Sequence, residues 1–173
     1  MPIFNIGNKR ILFIHIPKTG GTSIERILND FQDKPCILDF FKPNKNILYG
    51  KHESFHMQHL TAKQIFNNFN FKVEDFDLIF TIIRDPHQRL ISEMNWRGCY
   101  LEKKIRIINI INAFLGLEKG GLEESGHNTF QYEFVKGYED KIKIFKNHNK
   151  LYNYLSKFLN INIIDKKKMF QIK

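Results

Sequence analysis

Residues 12–23 read Leu-Phe-Ile-His-Ile-Pro-Lys-Thr-Gly-Gly-Thr-Ser. One ammonium (Lys18), three hydroxyls (Thr19, Thr22, Ser23) and two adjacent glycines (Gly20, Gly21) therefore follow directly on an apolar run. This is the chemistry of an anion cradle. Glycine backbones turn through conformations barred to other residues, so successive N–H groups can converge on an oxyanion. Lys18 adds a point charge. Beyond Gly21, Ile24, Ile27 and Leu28 recur at helical spacing, so the same anion would face the positive end of a helix. In the Walker pattern the lysine follows the second glycine, whereas Lys18 precedes both, and the direction of approach differs accordingly.

A second constellation begins at residues 77–83 (Asp-Leu-Ile-Phe-Thr-Ile-Ile), a nearly continuous apolar run expected of a strand buried on both faces. It ends in Arg84-Asp85-Pro86. Pro86 suits a first helical turn and Asp85 a cap, and the helix that follows carries Arg89, Leu90, Ser92, Glu93 and Trp96. Arg84 at the strand's carboxyl end and Ser92 about two turns into the helix can converge on one anion. The guanidinium supplies a fork and the hydroxyl a neutral donor.

Phe13-Ile-His-Ile-Pro-Lys-Thr-Gly-Gly-Thr-Ser23 resembles the 5′-phosphosulfate loop of the heparan-sulfate-type (family 2-like) carbohydrate sulfotransferases. Arg84-Asp-Pro-His-Gln-Arg-Leu-Ile-Ser-Glu-Met-Asn-Trp96 resembles the same family's 3′-phosphate motif. The resemblance implies an α/β fold with a mostly parallel central sheet flanked by helices, of the P-loop-NTPase-like sulfotransferase type. It implies 3′-phosphoadenosine 5′-phosphosulfate as the donor and an acceptor hydroxyl, of carbohydrate rather than peptide. Lys18, Thr19, Gly20, Gly21, Thr22 and Ser23 would then bind the donor's 5′ end, with Lys18 also acting catalytically on the leaving side. Arg84 and Ser92 would hold its 3′-phosphate.

Such a transfer also needs a group to take the acceptor's proton. In Tyr49-Gly-Lys-His-Glu-Ser-Phe-His-Met-Gln-His-Leu60, His52 follows Gly50 after an apolar region, and imidazole, with a reference pKa of about 6.5, accepts a proton near neutrality. In relatives a Gly-Lys-His or Gly-X-His segment at this place supplies the base. His52 is thus assigned that role, with Glu53 as runner-up. His56 and His59 lie one turn apart but lack a third ligand at a recognisable spacing, so no metal is expected and a helix-surface role is assigned to them. His15 reads as a packed or hydrogen-bonded core residue. His127 and Gln131 fall in a stretch loosely similar to the family's acceptor-side region. The family's acidic residue and leucine after the last strand are replaced by Phe145-Lys-Asn-His-Asn-Lys-Leu151.

At 173 residues, with 42% hydrophobic and 14% aromatic content, the chain suits one domain over 1–173 and not a disordered segment. A net charge of +9 favours an anionic ligand, although no nucleic-acid-binding motif accompanies it. Cys36 and Cys99 are too few for a disulfide framework. With neither a signal peptide nor a run of about 18 apolar residues, a cytoplasmic protein without membrane insertion is expected. The coarse element order is strand 11–16, helix 21–31, apolar stretches 36–41 and 46–49, helix 60–69, strand 77–83 and helix 86–97. A helical segment 101–117, a short helix 128–137, an edge strand 140–146 and a helix 148–159 complete it. This alternation places ligands at strand carboxyl ends. Two rival readings stay open: a small P-loop-like kinase, and an inactive relative that binds nucleotide or polyanion without turnover.

Overall fold

The computed structural model describes residues 3–33, 57–100, 126–127 and 129–163. The apolar stretches 36–41 and 46–49, the segment 101–117, and the residues Cys36, His52, Glu53 and His56 lie outside the described residues. Strands β1 (Ile3–Ile6) and β2 (Lys9–Ile14) form an antiparallel hairpin through the two-residue Gly7-Asn8 turn, pairing Ile3 with Leu12 and Ile6 with Lys9. The sequence reading has no strand at β1 and begins the next at residue 11. The Gly-Asn dipeptide between two short apolar runs is the hairpin signal that marks both.

Helix α1 (Gly21–Asn29) follows β2, and α2 (Ala62–Asn68) begins at a capping box in which Thr61 and Gln64 satisfy each other's backbone N–H groups. Strand β3 (Leu78–Ile82) pairs in parallel with β2, and β4 (Lys143–Phe145) pairs in parallel with β3, giving the sheet order β1-β2-β3-β4. Helix α3 (Pro86–Tyr100) leaves β3, and α4 (His148–Leu159) leaves β4. Asn147 caps α4 by accepting from the N–H groups of Asn149 and Lys150, while Asn160, with φ 53°, ends it in the left-handed conformation. Among the described residues, four strands, mostly parallel, and their helices make an α/β fold compatible with that of sulfotransferases.

The period of two along the strands sorts the core onto two faces. Ile11, Phe13, Leu78, Phe80 and Ile82 face α1 and α4, packing with Ile24, Ile27, Leu28, Leu151 and Leu155. Leu12, Ile14 and Ile79 face the other way, against Ala62 and Ile65 of α2 and against Phe134, Val135 and Ile142. Phe13 and Phe80 are register partners whose rings stack at 4.8 Å, both fully enclosed. Each such ring is worth about 1.5–3 kcal/mol of burial.

The helix expected over 128–137 is a single 3-10 turn, Gln131–Phe134. Phe134 is buried in the core, and the Gln131 amide is bonded to the backbone of Arg84, so tertiary partners fix this segment as a strap across the end of β3.

Candidate active site

Parallel strands deliver the following helices with their N-termini on one side of the sheet. At this edge a cleft of about 600 Å³ is lined by Thr19, Gly20 and Ser23 after β2, by Ile83, Arg84, Asp85 and Gln88 after β3, and by Lys146, Asn147, His148 and Asn149 after β4. The N-terminal ends of α1, α3 and α4 all border it, each bringing positive dipole character.

The loop from His15 to Gly21 is held by buried bonds. The Thr19 hydroxyl donates to the Ile16 carbonyl at 2.8 Å, and Thr19 is only 1% exposed. Gly20 caps α1 with φ 90°, and a β-carbon there would meet the His148 ring at 2.5 Å. At Gly21 a β-carbon would overlap the His15 ring. Glycine is therefore required twice, once for conformation and once for close approach. Thr22 and Ser23 are exposed on the first turn of α1, with Ser23 lining the cleft.

Lys18 has φ 65°, in the left-handed region that a side-chain-bearing residue rarely adopts. Its ammonium lies 5.0 Å from the centre of the Trp96 ring, in a cation–π contact. Arg84 reaches back to this loop, its guanidinium donating to the Lys18 carbonyl at 3.4 Å. The Gln131 amide accepts from the Arg84 N–H at 2.9 Å and donates to its carbonyl at 2.8 Å, fixing the end of β3. Asp85 caps α3, accepting from the Gln88 N–H at 3.0 Å. Ser92, half-buried, is not among the residues lining the cleft. It lies one turn beyond Gln88 on the stripe that also carries Asp85.

Behind the loop runs a row of histidines. The His15 Nδ1–H donates to Glu25 at 2.6 Å, as the sequence reading of His15 expects, and Gln58 donates to the second oxygen of Glu25. The His127 Nδ1–H donates to Glu93 at 2.8 Å, and its ring stacks on Trp96 at 5.0 Å. His59 stands edge-on to both His15 and His127 and donates to the His15 carbonyl. Burial, and next the neighbouring His15, lower the His59 pKa from 6.5 to about 2. A helix-surface role for His59 is thus corrected: the half-buried ring is a neutral spacer packed between His15 and His127. His127, 9% exposed and paired with Glu93, is an internal residue.

Arg89, unassigned from the sequence, is 3% exposed and donates to three backbone carbonyls, those of Pro17, His127 and Thr129. These three carbonyls are backbone atoms distant in the chain, so residue type and spacing give no sign of them. The contribution of residues 146–149 to the cleft escaped the sequence reading for a related reason, because only the parallel pairing of β4 brings them there. Among the described residues no group of three or more His, Cys, Asp and Glu side chains could hold a metal ion. No helix among them is long and apolar enough to cross a membrane.

The chain is thus an α/β protein in which a Gly-rich loop and a strand-end arginine border one cleft. A sequence model of the Sulfotransferase family matches residues 2–158, so the chain belongs to that family, and the resemblance to family 2-like sulfotransferases is borne out. No curated protein and no solved structure matches the chain.

Proposed function

We propose that this protein transfers the sulfuryl group of 3′-phosphoadenosine 5′-phosphosulfate to a hydroxyl of a carbohydrate acceptor. The observation that carries this reading is the meeting of two motifs more than sixty residues apart: Thr19, Gly20 and Ser23 line the same cleft as Arg84, and Arg84 touches the loop itself. The cleft's volume lies within the range of small-molecule sites, about 300–1,000 Å³. In this reading Thr19, Gly20, Gly21, Thr22 and Ser23 surround the donor's 5′-phosphosulfate, and Arg84 with Ser92 takes the 3′-phosphate.

The acceptor oxygen attacks sulfur in line as the bond from sulfur to the 5′-phosphate oxygen breaks. Lys18, turning from Trp96, meets the charge that develops on the departing phosphate. His52 is the proposed base for the acceptor proton, with Glu53 as runner-up.

The test is calorimetry with 3′-phosphoadenosine 5′-phosphate, AMP and ATP, with and without Mg²⁺, read in parallel through fluorescence. Trp96 is the chain's single tryptophan. The bisphosphate should bind most tightly, independently of Mg²⁺, and should change Trp96 emission as Lys18 leaves its ring. Mg²⁺-dependent preference for ATP would favour the kinase. Tight bisphosphate binding without sulfuryl transfer to any member of a panel of sugars and oligosaccharides would favour an inactive relative.

A further inference from the structure

Buried arginines are costly unless their donors are satisfied, and Arg89 donates to three main-chain oxygens. Its Nε donates to the Pro17 carbonyl at 2.9 Å, and its two terminal nitrogens donate to Thr129 and His127 at 3.1 and 3.0 Å. Burial lowers its pKa, an effect that the nearby Glu93 carboxylate opposes.

The consequence lies in the geometry of the peptide unit. The C=O of one residue and the N–H of the next share a plane and point in opposite directions. Anchoring the Pro17 carbonyl to α3 turns the Lys18 N–H to the other side. The Lys18 carbonyl is held in the same sense by Arg84, which turns the Thr19 N–H likewise. Between these two anchored peptides sits Lys18 at φ 65°, a conformation that an unconstrained lysine would leave.

We propose that Arg89 is a positioning residue of the anion loop: its fork on Pro17, His127 and Thr129 fixes the peptides around Lys18 so that their N–H groups receive the donor's 5′-phosphate. The same fork ties the 127–129 segment, and with it the His127 ring under Trp96, to the loop. This inference rests on the donor reading above. It assigns Arg89 to the 5′ end of the nucleotide although the residue belongs in sequence to the 3′-phosphate stretch.

The experiment compares wild type with Arg89→Lys, which keeps the charge but loses the planar fork, and with Arg89→Gln. Calorimetric affinities are measured for 3′-phosphoadenosine 5′-phosphate and for adenosine 3′-monophosphate, below the melting temperature of each variant. Both variants should lose about tenfold or more in affinity for the bisphosphate and less than about twofold for the 3′-monophosphate. Equal losses for both ligands, or no loss, would overturn the positioning role. Where neither variant folds, the guanidinium N–H resonance of Arg89 in the wild-type chain decides. It should exchange slowly and shift with the bisphosphate but not with the 3′-monophosphate, and a resonance indifferent to both overturns the proposal. Failure of wild type to bind either ligand instead rejects the donor reading itself.

Discussion

The loops after β2 and after β3 border the same cleft and, in the proposed reading, meet the donor's phosphates by different means. The first offers backbone: Gly20 and Gly21 carry no side chain, and its capacity rests on N–H groups that neighbours must aim. The second offers a side chain, the Arg84 guanidinium, whose donors are fixed by its own planar chemistry. The first is correspondingly the more heavily braced. Thr19, Arg84 and Arg89 all bond to its carbonyls, and the His15 ring abuts Gly21. At Arg84 itself Gln131 holds both the backbone N–H and the carbonyl. A backbone site needs external orientation because a peptide has no rotamer of its own to set.

Three substitutions bear on that contrast. The largest effect is expected from Lys18→Ala. Loss of the charge facing the departing phosphate should slow turnover by a hundredfold or more, about 3 kcal/mol in the barrier, while the melting temperature changes little because the side chain is not part of the core. The measurement is single-turnover sulfuryl transfer to an acceptor found by panel screening, and a near-normal rate would remove Lys18 from the chemistry. Next comes Gly21→Ala. The added methyl meets the enclosed His15 ring, itself bound to Glu25, so thermal unfolding should report a loss of about 2 kcal/mol. An unchanged melting temperature would show that the brace yields and that the backbone site is softer than its bonds suggest. The smallest effect is expected at the side-chain site. Arg84→Ala should erase about tenfold of preference for 3′-phosphoadenosine 5′-phosphate over AMP, read by calorimetry, with the fold retained. If wild type binds both nucleotides equally, Arg84 does not hold a 3′-phosphate.

Much of this arrangement is legible in the chain because it is local. Strand 77–83 is observed as β3 over 78–82, helix 148–159 as α4 over the same residues, and the Asp85-Pro86 start of α3 appears where cap chemistry puts it. Lys18 through Ser23 and Arg84 point to the proposed anion site from sequence because each motif is a run of near neighbours in the chain. The 128–137 segment misleads for the opposite reason: its apolar residues satisfy a helical pattern, but Gln131 is claimed by Arg84 and Phe134 by the core.

His59 shows the same limit at the scale of one side chain. Spacing alone left it on a helix surface, and only the fold sets it between His15 and His127, where burial holds it neutral. By itself, then, the sequence determined the residue types at the site and the elements that carry them, since propensity, capping and anion chemistry are properties of neighbours in the chain. Tertiary structure alone decided that residues 146–149 complete the cleft, that Lys18 lies over Trp96, and that Arg89 grips three carbonyls. A backbone carbonyl is chemically the same at every residue, so no sequence pattern can say which ones a buried guanidinium will find.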